Sequence, residues 1–196
     1  MGRQRILGRL RGRPAVMPSR WGEGGELSMD LVPFSRTSPL LSDAVNIYVA
    51  TWGHSRDASY QFIYQYAGFP GFAGFVALVE RQPVGMGFGV DARRGNWWVD
   101  TVASALGPSH PALSDAWTLV ELAVAPGHRD LGYGTIIHDA LWLSHNRPRT
   151  VLSTQQNNLG AQRLYLRLGW QIIHPGLLFA GNPVPYVIMA RERPQA

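Results

Sequence analysis

Apolar positions recur at four-residue spacing from Leu41 through Val45 to Val49, and this period predicts a helix that Ser38 can cap and Pro39 can open. A short strand near residues 27–33 precedes it. A second helix over 58–66 is rich in aromatics, with Tyr60, Phe62, Tyr64 and Tyr66, and the Gly/Phe/Pro cluster of 68–74 ends it. Two strands at 75–80 and 84–90 follow, with the polar pair Arg81-Gln82 between them. Residues 91–116 carry Trp97-Trp98 and two prolines without a clear period, so they read as a long connection, which in a compact domain is usually functional or mobile. A buried strand at 117–124 then leads to a helix at 132–145, with Ile136, Ile137, Ala140 and Leu141 on one side. A short strand at 150–154 precedes a helix at 158–168, whose inward stripe is Ala161, Leu164, Tyr165 and Leu168 and whose stop is Gly169. Strands at 170–174 and 185–190 finish the chain. Strand–helix alternation concentrates in the second half, and the class is α/β, in the wider sense α+β.

Length limits this pattern to one domain, because 196 residues form one proper core and are too few for two comfortable ones. The expected division is a tail at residues 1–26 and a single domain at 27–196. Six arginines and no acid fall within residues 1–20; without them twelve basic residues face thirteen acids, a formal charge of −1. The sequence pI of about 10.1 is therefore a property of the tail and no face of the fold is expected to bind nucleic acid. The tail itself reads as a disordered appendage or, in the sharper alternative, as an arm for phosphates or membranes.

Residue types remove whole classes of chemistry. The chain has no Lys, which excludes a P-loop and a Schiff base, and no Cys, which excludes a disulfide scaffold, a thiolate zinc site and a cysteine nucleophile. No apolar run approaches the roughly 20 residues of a membrane span, so a cytoplasmic protein without membrane attachment is expected. The six His lack ligand spacing: His138 and His145 stand seven apart on one predicted helix, so no metal is expected.

The informative unit is the run from Leu119 to Gly134, in which an apolar strand enters a turn, Arg129-Asp130-Leu131-Gly132-Tyr133-Gly134, that opens a helix. A helix start offers unpaired N–H groups and a positive dipole end to phosphate oxygens, and glycines allow close approach. Gly-x-Gly alone is weak. A dinucleotide fingerprint needs a third Gly where this chain has Ile137. The turn gains meaning from the downstream segment Asn158-x-x-Ala161-x-x-Leu164-Tyr165-x-x-Leu168-Gly169-Trp170.

Together, Arg-x-x-Gly-x-Gly after a strand ending Leu-Ala-Val and this Asn-to-Trp segment resemble the two signature motifs of the GNAT superfamily of N-acetyltransferases, over about residues 117–170. The resemblance implies a mixed, mostly antiparallel sheet flanked by helices and splayed near Val124 to admit acetyl-CoA as co-substrate. It implies that the backbone of Leu122, Ala123 and Val124 pairs with the pantetheine arm, often beside a bulge, with the Val124 N–H on the thioester carbonyl. Arg129, Asp130, Leu131, Gly132, Tyr133, Gly134 and Thr135 would surround the pyrophosphate. Asn158, with Ala161 beside it, would meet the pantetheine, and Tyr165 would protonate the leaving thiolate.

Tyr165 suits that role because a phenol near pKa 10 can share a proton with a thiolate whose acid lies near 8.5, and it equally suits a core position on the helix stripe. Glu121, the one acid within its strand, is a candidate general base for the amine or a carboxylate held by a neighbouring strand or Arg. Ser153 stands where some family members carry Glu in the following strand, which leaves Glu121 or a water chain as the base. Trp97-Trp98 reads as acceptor-pocket lining or as loop packing. The implied activity is direct acetyl transfer to a small-molecule or protein amine; the alternative is a non-catalytic acyl-CoA sensor on the same fold. The aromatic excess of 58–66 leaves room for a homodimer.

Overall fold

A computed structural model describes residues 17–18 and 29–194. Apart from Met17–Pro18, the Arg-rich tail lies outside the described residues, as do the first two residues of the strand expected at 27–33. The strands are β1 (Met17–Pro18), β2 (Met29–Pro33), β3 (Ala73–Val79), β4 (Gln82–Asp91), β5 (Ala116–Val124), β6 (Arg149–Gln155), β7 (Gln171–Leu177) and β8 (Tyr186–Glu192). They form one sheet in the order β1-β2-β3-β4-β5-β6-β8-β7. Every pairing is antiparallel except β5 with β6. The helices are α1 (Leu40–Trp52), α2 (Arg56–Tyr66), α3 (Trp97–Leu106), α4 (Tyr133–Leu143) and α5 (Leu159–Arg167).

Two apolar clusters sandwich the sheet. On one face α1 and α2 bring Leu41, Val45 and Ile63 onto Val76, Met86 and Phe88. On the other, α4 and α5 bring Ile137, Leu141 and Tyr165 onto Trp117, Leu119, Leu152 and Met189. Strand β4 is buried on both faces, and its alternating glycines set the distance to α4. A Cβ on Gly85 would sit 2.7 Å from Ile137 Cδ1, and one on Gly87 2.8 Å from Leu141 Cδ1. Gly is thus the only residue that allows α4 this close.

The parallel pairing of β5 with β6 is short. It covers Ala116 to Thr118 against Arg149 to Val151 and then stops, while both strands continue. The paired end is clamped by Arg147, whose guanidinium donates to both Asp91 oxygens and to Asp115 Oδ1 at 2.6–2.9 Å. These bonds hold the Asp91 carboxyl below the usual carboxylate range. The strands therefore part from Leu119 onward, and the splay expected at Val124 is present and begins earlier.

One expectation changes. The connection at 91–116 contains a full helix, α3, because Asn96 Oδ1 accepts from the Trp98 and Val99 N–H groups and Asp100 sits in the first turn. Its apolar side, with Val102, packs on Phe179 and Ile188. Of the α2 aromatics, Phe62 and Tyr66 contact each other and Phe88, with ring centroids 4.9–6.1 Å apart, while Tyr64 stays exposed.

Candidate active site

Strand β5 changes phase as it enters the open part of the sheet. Phe88 pairs with Glu121 but Gly89 pairs with Leu119, so Val120 is an extra residue, a β-bulge. Paired residues share a face. Glu121 therefore points to the α1 side with Phe88, toward Tyr48 and Trp52.

The same strand presents backbone groups to the gap. The Ala125 N–H donates to Val84 O on β4 at 2.9 Å. Successive N–H groups along a strand point to opposite edges, so the Val124 and Leu122 N–H groups point away from β4 into the space β6 has left. The Leu122 N–H is taken by Glu121 Oε1 at 3.1 Å.

Beyond Val124 the chain makes a 3-10 turn, Pro126–His128, and then α4 begins. Among the described residues, none of the backbone N–H groups from Arg129 to Gly134 finds a protein acceptor, and the Thr135 N–H is the first to do so, on Gly132 O at 3.0 Å. Gly132 has φ +84°, the left-handed conformation that glycine adopts without strain. Gly134 is different. A Cβ there would meet only Leu164 and Val124 side chains, at 3.6 and 3.8 Å, so the fold itself does not demand glycine. An open rim of donors with no Cβ in front fits an anion.

Two cavities meet at this gap. The larger, about 720 Å3, is lined by Ala123, Val124, Arg129, Asp130, Gly132, Tyr133, Gly134 and Thr135, with Arg163 and Arg167 from α5. The smaller, about 220 Å3, lies on the Glu121 side and includes Tyr48, His54, Ser153, Thr154 and Tyr186. Their common wall is Trp52, Leu122, Gln155, Asn158, Ala161 and Tyr165.

Side chains at the wall are held from outside. Asn158 Oδ1 caps α5 by accepting the Ala161 N–H at 3.2 Å, which leaves its amide NH2 as the free end. Tyr165 is 7% exposed, and its ring lies 5.6 Å from that of Trp170, whose indole donates to His138 Nε2 at 2.9 Å. Burial, and then the negative charge of Glu121, push the Tyr165 phenol above its ordinary value. Glu121 itself is pushed up to about 7 by burial, with the Leu122 N–H and Trp52 pulling it partly back. Its neighbour Tyr48 is raised by burial and by Glu121.

The expected site residues thus gather around one gap, with one exception: Leu131 does not line either cavity and its side chain is 61% exposed. Trp97 and Trp98 also stay outside, Trp97 against Phe179 and Trp98 with its indole N–H on Ser153 Oγ at 2.9 Å. Sequence reading missed Tyr48 and Trp52, and Arg163 and Arg167. Each pair stands four apart on a helix, a spacing that puts both on one side and could have signalled them. Tyr186 carries no such local signal. Among the described residues no group of three His, Cys, Asp or Glu is placed to hold a metal, and no helix is long and apolar enough to cross a membrane.

Comparison with known proteins bears on the family and the fold. Residues 40–170 match the model of the acetyltransferase (GNAT) family. A curated relative, a GCN5-like protein acetyltransferase of Mycobacterium tuberculosis (strain ATCC 25618 / H37Rv), is 31% identical over 121 residues, covering 57% of this chain and 59% of that protein. The chain thus matches less than two thirds of the length of that relative. Among solved structures, an aminoglycoside 6'-acetyltransferase type Ii is 20% identical with a TM-score of 0.61, covering 85% of this chain and 99% of that one. A GNAT-family acetyltransferase from Bacillus cereus ATCC 10987 is 15% identical, also with a TM-score of 0.61 and coverages of 85% and 99%. An aminoglycoside 6'-N-acetyltransferase complexed with coenzyme A is 20% identical with a TM-score of 0.59, covering 84% and 99%. These three are likenesses of fold.

Proposed function

The chain belongs to the acetyltransferase (GNAT) family, and on that premise we propose that it transfers an acetyl group from acetyl-CoA to a primary amine by direct attack. The observation that carries this reading is the meeting of Glu121 and Tyr165. The first lines the smaller cavity from the α1 face of the sheet, and the second comes from the other face and lines both cavities.

The larger cavity takes the acetyl-CoA. Its pyrophosphate lies on the free N–H groups of residues 129–134, with Arg129 at the rim, and the pantetheine runs along the open edge of Leu122, Ala123 and Val124 past the Asn158 amide. The absence of a Cβ at Gly134 supports this placement, because nothing in the fold requires it.

The amine enters from the smaller cavity. An alkylammonium has a pKa of about 10.4, so it must lose a proton before it can attack. Glu121, at about 7, is a stronger base than an ordinary carboxylate and is still substantially ionised at neutral pH. The free amine forms the C–N bond while the Val124 N–H stabilises the oxyanion. The C–S bond then breaks and Tyr165 shares its proton with the sulfur. The two residues are coupled. Glu121 charge raises the Tyr165 pKa, so taking up the amine proton removes the charge that holds the phenol proton, and Tyr165 becomes the better acid at the moment it is needed.

Incubation with acetyl-CoA and a panel of amines, read by thiol release and by mass of the acetylated product, tests the proposal. Amine-dependent release is expected. Tight acetyl-CoA binding with no acetylated product from any amine would overturn it in favour of a binding module.

A further inference from the structure

The smaller cavity constrains the acceptor, and this constraint rests on the chain being a transferase. Its volume of about 220 Å3 compares with about 720 Å3 on the donor side. This is below the 300 Å3 or so at which pockets for drug-sized ligands begin. Such a space suits a compact molecule.

Charge narrows the choice further. Glu121 is the one carboxylate in the lining, and the lining includes no Arg. A second ammonium on the acceptor would find no partner there, and in the neighbouring cavity it would meet Arg129, Arg163 and Arg167. A carboxylate on the acceptor would likewise lie beside Glu121 with no guanidinium to receive it. Unpaired charges taken from water are strongly unfavourable, so both polycations and zwitterions are disfavoured.

The rest of the lining is neutral and of two kinds. Tyr48, Trp52, His54 and Tyr186 supply flat faces, and they are held in place: Tyr48 stacks on Phe62 at 5.5 Å and lies 5.6 Å from His54, while Tyr186 packs edge-on against Phe179 at 5.1 Å. Rings of this kind favour a flat body and a nearby cation. Thr154, Gln155 and the Tyr186 hydroxyl supply neutral hydrogen-bonding groups, with Gln155 Nε2 donating to Tyr186 Oη at 3.3 Å.

We infer that the acceptor is a compact monoamine with a flat, uncharged body that carries a hydroxyl or similar hydrogen-bonding group, as in a hydroxyaryl-alkylamine. Its ammonium faces Glu121 and its ring lies among the aromatic walls. In the reaction one ammonium proton passes to Glu121, the N–C bond forms, the C–S bond breaks and the Tyr165 proton goes to the sulfur; the second nitrogen proton then restores Tyr165, so the products are the N-acetylamine, CoA and one proton that Glu121 releases to solvent.

The test is steady-state kinetics of the full chain at saturating acetyl-CoA with tyramine, tyrosine, spermidine, kanamycin and a lysine-containing peptide. Tyramine should exceed tyrosine, which differs by one carboxylate, by at least tenfold in kcat/KM, and should exceed the polycations and the peptide by more. Gln155→Arg, which places a cation in the cavity wall, should narrow the gap between tyramine and tyrosine. Equal or better use of tyrosine, kanamycin, spermidine or the peptide by the unaltered protein overturns the acceptor assignment and leaves the transferase reading standing. Absence of CoA release with every amine overturns that reading as well.

Discussion

The two cavities that meet at Tyr165 are built on different principles. The larger is a backbone site: free N–H groups of residues 129–134, the unpaired edge of β5 and glycines without side chains. The smaller is a side-chain site, assembled from α1, β5, β6 and β8 around Glu121. A backbone site recognises what all acyl-CoA molecules share, and it changes little with substitution. A side-chain site recognises one class of acceptor, and one substitution can alter its charge. The difference predicts that variants on the two sides fail in different ways.

The largest effect is expected from Glu121→Gln, which should lower kcat/KM for the amine on the order of a thousandfold while acetyl-CoA affinity stays unchanged. In the unaltered protein activity should rise with pH through about 7, as Glu121 ionises, and the variant should lose that rise. Equal loss of acetyl-CoA binding would break the separation between the sites. Tyr165→Phe should lower kcat by about a hundredfold with little change in acetyl-CoA affinity, measured by single-turnover kinetics and calorimetry.

Glycines in the donor loop sharpen the same contrast. Gly134→Ala should raise the acetyl-CoA KM about tenfold without lowering Tm, since a Cβ there meets only ordinary contacts in the free protein. Gly132→Ala should instead cost about 1 kcal/mol of stability in denaturant titration, because φ there is +84°. A separate effect concerns Glu121 and folding. Its pKa is raised from 4.5 to about 7, so the stability it contributes is full below 4.5 and is lost as pH rises through 7. Glu121→Gln should therefore raise Tm by a few degrees near pH 8 and leave it unchanged near pH 4; a gain that is equal at both would remove burial of the charge as the cause.

The same contrast decides what the sequence reveals. The donor loop and the Asn158-to-Trp170 segment are contiguous, so their chemistry is visible in the order of residues. The wall of the smaller cavity is not contiguous: Tyr48, Glu121, Gln155 and Tyr186 meet only when the sheet forms and splays. Helix α3 escaped because Trp97, Trp98, Val99 and Val102 give no clean period, although Asn96 and Gly107 mark its ends. The position of the bulge at Val120 also has no local mark, since a valine there suits a regular strand as well as a bulged one.

That bulge also sets a parity. Were Val120 kept but fitted into a regular ladder, every side chain on one flank of β5 would exchange faces relative to the other. Glu121 would then share a side with Leu119, its carboxylate buried against α4 and α5 and no longer beside Tyr48. The break in alternation thus decides that Leu119 and Glu121, two apart in the chain, face opposite sides of the sheet.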